Sequence, residues 1–242
     1  MDTFCFHINK SRILLKGEQN MAVLKIDNSS SVPIQKSFDK IAEDLFNNYQ
    51  LHVNNSIYRL VDIEFYYFSK NHPDIYAHKH KAQKESDHWY FHGSGIDITF
   101  GDGNNHGGIL IRAICEISDS ANKDKYYIKD EYHGPVNVKT EICSKFNNIF
   151  EDKPNIFQFN NINNKRPETF KIFEKSPIKT KRIGLNLEKD EGQVFYSAKY
   201  RYVAYVNLKY AKKTQIAHDM KEQYDDMLED DINNFFGWKI LK

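Results

Sequence analysis

Cysteine, surplus charge and long apolar runs are all scarce in this sequence of 242 residues. Cys5, Cys115 and Cys143 have no metal-binding spacing and cannot all pair, so a cytoplasmic protein is expected. No apolar run approaches the roughly 20 residues that span a bilayer. Residues 1–16 also lack the basic start and apolar core of a secretion signal. The sequence therefore predicts neither a membrane partner nor export.

Net charge gives no general attraction to nucleic acid, because 34 basic side chains face 33 acidic ones. The charges are nevertheless unevenly placed: residues 165–182 are mainly basic, and residues 219–231 are mainly acidic. A basic patch on one face and an ordinary solvated charge run are equally compatible with this pattern. The basic side chains of the first stretch are Lys165, Arg166, Lys171, Lys175, Lys179, Lys181 and Arg182.

Apolar and aromatic residues, in contrast, are plentiful, with 17 Phe and 15 Tyr, which argues against a disordered chain. Helical spacing predicts helices at 34–45, from Gly134 to 149, and along the C-terminal stretch. Strands are predicted at 57–68, 89–91, 96–100, 109–115, 156–159, 170–173 and 200–208. The glycine-rich segment 101–108 is predicted to be a tight turn, so the strands flanking it should pair antiparallel.

These elements predict one α+β domain over residues 34–210, preceded by an N-terminal extension at 1–33. Residues 211–242 are predicted to form one acidic amphipathic helix, packed on the domain or on a partner. Packing on a second copy of the chain would give self-association through this helix.

Glu64 is the leading candidate for a catalytic residue. Strict alternation along its strand places it on one face with Leu60, Tyr66 and Phe68. Burial among such groups disfavours the charged form and raises a carboxyl pKa. Glu64 could then accept a proton from water, provided that a cation restrained the shift. The alternative is an edge strand with Glu64 in solvent, and Asp62 on the same face favours that alternative.

Arg112 lies inside an otherwise apolar strand, and a buried arginine needs a partner because it cannot lose its charge. A carboxylate on a neighbouring strand, Glu64 or Asp62, is the expected partner. The pair would be a structural ion pair or a base held ionised beside a bound water. The pattern is compatible with both.

Histidines cluster between residues 72 and 106. A zinc site would use His78 and His80 with His72 or His92, but the spacing lacks the i, i+4 arrangement of helical zinc motifs. A histidine that binds substrate, or one that lies in a polar loop, fits the pattern better. We therefore expect no metal and no cofactor.

Six segments, taken in order, resemble the alkyladenine (3-methyladenine, methylpurine) DNA glycosylase family. The predicted strand from Arg59 to Tyr66 follows the family pattern of arginine, two aliphatics, acid, x, glutamate, x, tyrosine. The other segments are 37–46, 108–114, the Gly134-Pro135 helix start, 180–184 and 198–202. The resemblance covers about residues 37–206 and implies a curved, mainly antiparallel sheet flanked by helices.

The resemblance implies a monofunctional DNA glycosylase that flips an alkylated or otherwise modified purine out of double-stranded DNA for base excision repair. Glu64 would activate water for attack on the sugar C1′, and Arg112 would hold that water and the carboxylate. Tyr66 would stack on the everted base, and His78 would approach the base or its 5′ phosphate. Phe100 would be the aromatic wedge that fills the gap in the duplex. Further candidates are Asp97, Asn104 and Asn105 at the base, and Lys179, Lys181 and Arg182 at the DNA.

Three departures from the family pattern leave other functions open. Asp97 stands where the family has a second stacking tyrosine, the hairpin after Phe100 is short, and the chain is neutral overall. The first alternative is a glycosidase for a nucleoside, a nucleotide or an unusual modified base. The second is a non-catalytic module that binds nucleic acid or a protein partner through the acidic C-terminal segment.

Overall fold

Strands occupy the middle of the chain, and helices lie mainly towards its two ends. The computed structural model describes residues 24–119, 126–162, 177–189, 194–205 and 208–241. The helices in these ranges are α1 (Ser31–Asn48), α2 (Pro135–Ser144), α3 (Val194–Ser197), α4 (Lys213–Gln223) and α5 (Glu229–Phe236). The strands are β1 (Tyr49–Val53), β2 (Ser56–Ser69), β3 (His72–Pro73), β4 (Ser86–His92), β5 (Gly95–Phe100), β6 (His106–Asp119), β7 (Tyr126–His133), β8 (Phe157–Asn161), β9 (Ile178–Thr180) and β10 (Arg201–Val203).

The described strands form one curved antiparallel sheet with β2 at its centre. β2 pairs along its length with β6 on one side, and on the other side with β1, β10 and β3 in turn. The β4–β5 hairpin and β7 extend the sheet beyond β6. The predicted α+β class and the predominance of antiparallel pairing are confirmed.

A β-bulge interrupts the middle of β2. Leu60 and Asp62 pair with consecutive residues of β6, so Val61 is the extra residue between them. The register shifts again directly after Asp62, opposite Arg112 of β6. Because side chains alternate with a period of two, the extra residue changes which residues of β2 face each side of the sheet, and the second shift does the same for β6.

The bulge separates Glu64 from the apolar face on which the sequence placed it. Leu60, before the bulge, belongs to the same buried cluster as Ile63 and Phe65 after it. Glu64 lies between these last two and projects from the opposite face. The prediction that Leu60 and Glu64 share one face was therefore wrong, since an added residue reverses the alternation.

Aromatic side chains fill the core between this face of β2 and α1. The helical spacing of apolar residues in α1 is confirmed, and Phe38 of this helix stacks on Phe65 with ring centroids 4.5 Å apart. Phe100 stacks on Tyr67 at 5.8 Å. Gly107 makes room for Phe100, because a Cβ at that position would lie 2.6 Å from the ring.

This packing contradicts the assignment of Phe100 as a DNA wedge. Phe100 is only 2% exposed and sits within the aromatic cluster of the core. A wedge has to protrude into the duplex, which would require Phe100 to leave this cluster. Aromatic residues before a tight turn serve as wedges or as core anchors, and here the ring turns inward.

Residues 213–236 form two helices where one was predicted. α4 ends at Gln223, and α5 begins at Glu229, where the Asp231 carboxylate accepts a hydrogen bond from the Leu228 N–H. The apolar residues of both helices pack together and against β9 and β10. The apolar face of this segment, which was expected to pack on the domain or on a partner, therefore packs on the domain. Leu228 and Trp238 remain exposed.

Other element boundaries also differ from the predictions. α2 ends at Ser144, which leaves Ile149 outside the helix and 90% exposed. The regular pairing of β10 covers only Arg201–Val203, which is shorter than the predicted strand at 200–208. The predicted strand at 170–173, the basic positions 165–175 and residues 1–23 lie outside the described residues. Nowhere in the described ranges is there a helix with the length and apolar character needed to cross a bilayer.

Candidate active site

A cavity of about 320 Å³ opens on the face of the sheet from which Glu64 projects. One wall is formed by Tyr66, Leu110 and Arg112 of the two central strands, and the loop 183–186 lies beside them. The remaining lining comes from Tyr76, His78, Gln83, His92, Ser94, Asp97, Pro135 and Lys189. The mixed aromatic and polar lining suits a small planar ligand with several hydrogen-bonding atoms.

Glu64 lies directly behind this wall and is fully buried. Its Oε2 accepts hydrogen bonds from the Tyr66 hydroxyl at 2.8 Å and from Nη1 of Arg112 at 3.2 Å. Its Oε1 accepts one from the Ile183 N–H at 2.7 Å. All three donors line the cavity, so the carboxylate is one side-chain layer away from anything bound there.

Burial raises the pKa of Glu64 above its ordinary value of 4.5. The charge of Arg112 opposes this rise, and the negative charge of Asp62 adds to it. Glu64 is therefore a stronger base than a carboxylate in water, and the neighbouring guanidinium favours its ionised form. Both properties suit a general base.

Arg112 contacts both of the carboxylates expected from the sequence. Its Nη1 bonds Glu64, whereas its Nε lies 3.8 Å from Asp62. Asp62 forms its main pair with Arg201, whose Nε and Nη2 donate to it at 2.9 and 2.7 Å. The side chain of Arg112 is 13% exposed and lines the cavity, so it joins the buried acids to the ligand space.

Arg182 was predicted to contact DNA, and its burial contradicts this. It forms a bidentate pair with Asp74, with nitrogen–oxygen distances of 2.6 and 3.1 Å, and both side chains are 0% exposed. The guanidinium also lies over the ring of Tyr66, 4.6 Å from its centroid. Arg182 therefore covers one face of Tyr66 and supports the cavity from behind.

His78, His92 and Asp97 stand together in another part of the lining. Nε2 of His92 lies 3.0 Å from Oδ1 of Asp97, and the rings of His78 and His92 are 4.9 Å apart. Gln83 donates to Oδ2 of Asp97 at 2.9 Å. Burial and the neighbouring His92 lower the pKa of His78. The sequence placed His78 and Asp97 at the ligand, and both line the cavity.

Asn104 and Asn105, which were predicted to contact a base, are not part of the cavity lining. Both residues lie in the turn between β5 and β6. Their backbone N–H groups donate to Asp102 at 3.1 and 2.8 Å, so the turn is closed on itself. Asparagines in such turns commonly satisfy the local backbone.

The two remaining basic candidates lie apart from the cavity lining. The ammonium group of Lys179 is 3.3 Å from Asp39 of α1. Lys181 is exposed beside the buried Arg182. Lys189 does line the cavity, although it was not among the predicted site residues.

Asp74, Tyr76 and Gln83 also belong to the site or support it, but the sequence did not predict them as site residues. Asp74 and Tyr76 lie in a loop with no periodicity, and only the fold brings them to Arg182 and to the cavity. Gln83 is 2% exposed in a 3₁₀ turn whose neighbours are mostly lysines. The one available signal for Asp74 was the need of a buried arginine for a partner.

No family model matches the chain. A protein of Acanthamoeba polyphaga mimivirus, described as uncharacterized, is 36% identical over 104 residues. The match includes 33% of this chain, and this chain spans about half (48%) of the viral protein's length.

Proposed function

We propose that this protein is an N-glycosidase that removes a modified purine from DNA, with Glu64 as the general base. The observation that carries the proposal is the buried Glu64 carboxylate, held by Arg112, Tyr66 and the Ile183 N–H at the wall of a cavity. The ordered resemblance to methylpurine DNA glycosylases, which centres on the same strand, also supports it.

The chemistry requires a water molecule that loses a proton as it attacks the sugar C1′. An ionised carboxylate offers about four lone-pair positions, and three are taken by the donors just described. The remaining position on Oε1 can accept the water proton if water enters between Ile183 and Arg112. Arg112 would then stabilise the carboxylate before the transfer and the hydroxide character that develops on the water.

The cavity supports a nucleobase as the leaving group. One face of Tyr66 is covered by Arg182, and the cavity-lining tyrosine can offer its other side for stacking. His78 and Tyr76 add further rings to the lining. A base everted from a duplex needs such a pocket, and a cationic alkylated purine would gain an additional interaction with the aromatic rings.

A second candidate is an N-glycosidase for free nucleosides or nucleotides. The burial of Phe100 and Arg182 favours it, because neither residue is available to grip DNA. Exposed apolar side chains do occur next to the lining, at Ile75 and Leu187, which are 43% and 41% exposed. They are candidates for the wedge role under the first proposal.

The test measures base release from duplexes that contain hypoxanthine, ethenoadenine or 3-methyladenine, and from the corresponding free nucleosides. Glu64→Gln should lower the rate by about 10² to 10⁴-fold, because general-base catalysis contributes that much. Glu85→Gln is the matched control, since this side chain is 65% exposed and should leave the rate unchanged.

Release from duplexes alone supports the DNA enzyme, and release from nucleosides alone supports the second candidate. Equal rates for the wild type and Glu64→Gln on every substrate would contradict both.

A further inference from the structure

His78, His92 and Asp97 have the composition and spacing of a metal-binding group. One ligand atom from each residue lies within 4.8 Å of the other two. The His92–Asp97 separation is already 3.0 Å. Ligand atoms of a tetrahedral site with bonds near 2.1 Å are about 3.4 Å apart. A small movement of the exposed His78 side chain would therefore bring all three into range.

The β4–β5 hairpin fixes two of the three ligands. Tyr90 pairs with Asp97 across the hairpin, and His92 follows two residues after Tyr90, so His92 and Asp97 project from the same face. Their side chains are 6% and 4% exposed. Gln83 holds the second carboxylate oxygen of Asp97. Hydrogen-bonded support behind the ligands is typical of metal sites in proteins.

We propose that His78, His92 and Asp97 bind a divalent transition-metal cation of the zinc class at the wall of the cavity. Two imidazoles and one carboxylate favour Zn²⁺, Fe²⁺ or Co²⁺ over Mg²⁺ and Ca²⁺, which prefer oxygen ligands. Three protein ligands leave at least one coordination position, and all three residues line the cavity. A water molecule or a ligand atom could occupy that position. This inference is independent of the proposed glycosidase activity.

The hydrogen bonds of His92 show what the cation would replace. The Ser94 N–H donates to Nδ1 at 3.3 Å, so a neutral ring carries its proton on Nε2, facing Asp97. Bound metal would take the place of this proton between Nε2 and Oδ1. Nδ1 would then carry the ring proton, and the Ser94 N–H would have to turn away. The 3.3 Å hydrogen bond from Ser94 to His92 lies in an exposed turn. The space around the neighbouring Gly93 is open, so the Ser94 N–H can turn away.

Metal binding to the purified full-length chain, stripped with EDTA, is the direct test. Isothermal titration with Zn²⁺ should show a site that His78→Ala and His92→Ala each weaken by at least about 10-fold. His218→Ala removes an exposed histidine of α4 and should leave the affinity unchanged. Co²⁺ should give visible d–d absorption in the wild type and lose it in both cluster variants. Mg²⁺ and Ca²⁺ should give no comparable binding.

His78→Ala is the deciding variant because its side chain is exposed and its loss should not unfold the protein. Circular dichroism and the unfolding temperature without metal will verify this. Zn²⁺ should raise the unfolding temperature of the wild type but not that of His78→Ala. Equal Zn²⁺ affinity and equal stabilisation in the wild type and both cluster variants would overturn the proposal. The cluster would then be a hydrogen-bonded histidine–aspartate pair without metal.

Discussion

Three pairs of arginine and carboxylate meet near the centre of β2, and they differ in how completely each is closed. Arg182–Asp74 and Arg201–Asp62 are bidentate and almost fully buried. Arg112–Glu64 has a single 3.2 Å hydrogen bond, and the arginine reaches the cavity.

A closed pair satisfies both charges inside the protein and has no capacity to bind a ligand. In the open pair the Glu64 carboxylate is buried, but the Arg112 guanidinium remains in contact with the cavity. Arg182 and Arg201 are therefore expected to act in stability, and Arg112 and Glu64 are the pair on which the proposed activity depends. Breaking a closed pair should damage stability, whereas changing the open one should mainly damage the proposed activity.

Arg182→Met is expected to have the largest effect on stability. It leaves the Asp74 carboxylate buried and without its bidentate partner, which typically costs about 3–5 kcal/mol. Urea denaturation of the variant and the wild type measures the difference in the free energy of unfolding. A loss below about 1 kcal/mol would show that this pair is not the structural support that its geometry indicates.

Arg112→Met should cost less, about 1–3 kcal/mol, because Glu64 can become neutral by taking up a proton. Without the opposing charge of Arg112, burial raises the pKa of Glu64 further. The loss should therefore be largest at high pH and shrink as the pH falls and Glu64 becomes protonated. Urea denaturation at several pH values measures this trend, and a loss independent of pH would contradict it.

Tyr66→Phe removes one hydrogen bond to the Glu64 carboxylate and should cost about 1 kcal/mol. Tyr76→Phe is a matched control, because its hydroxyl donates to the Asn186 C=O at 2.7 Å in an exposed position and should matter less. Thermal and urea unfolding of the two variants provides the comparison. If Tyr76→Phe is the more damaging, the hydroxyl of Tyr66 has little role in holding the carboxylate.

Glu64→Gln should have the smallest effect on stability, within about 1 kcal/mol at neutral pH. The folded-state pKa of Glu64 is raised, so its stabilising contribution is full below 4.5 and is lost as the pH rises through the folded-state value. The wild type should therefore become less stable relative to the variant as the pH increases. An opposite slope in urea denaturation would mean that folding lowers this pKa.

The sequence alone predicted the long elements and a partner for Arg112, which was either Glu64 or Asp62. α1 and β2 have strong periodic patterns over many residues, and a buried Arg112 requires an acid on a neighbouring strand. The bulge at Val61 left no such trace, because it depends on how β2 pairs with β6. Burial of Phe100 was equally hidden, since a core ring and a protruding ring look alike in sequence.

The closed pairs escaped prediction for a different reason. Asp74 and Arg182 are 108 positions apart, and neither lies in a regular element. Arg201 was predicted to lie in a strand, but that strand pairs with β2 over only three residues. Contacts of this kind follow from the packing of loops around the sheet, and local patterns carry no information about them.

The bulge at Val61 makes the site sensitive to the number of residues in β2 as well as to their kind. A substitution at Val61 keeps the count, so Glu64 still projects towards Arg112. Deleting Val61 would remove the bulge but leave Glu64 on its present face, because Leu60 and Asp62 would then alternate as ordinary neighbours. Deleting Ile63, which lies between the bulge and Glu64, would instead direct Glu64 into the aromatic interior and Phe65 towards the cavity. Beyond the bulge, β2 should therefore tolerate exchanges of side chain far better than the deletion of a single residue.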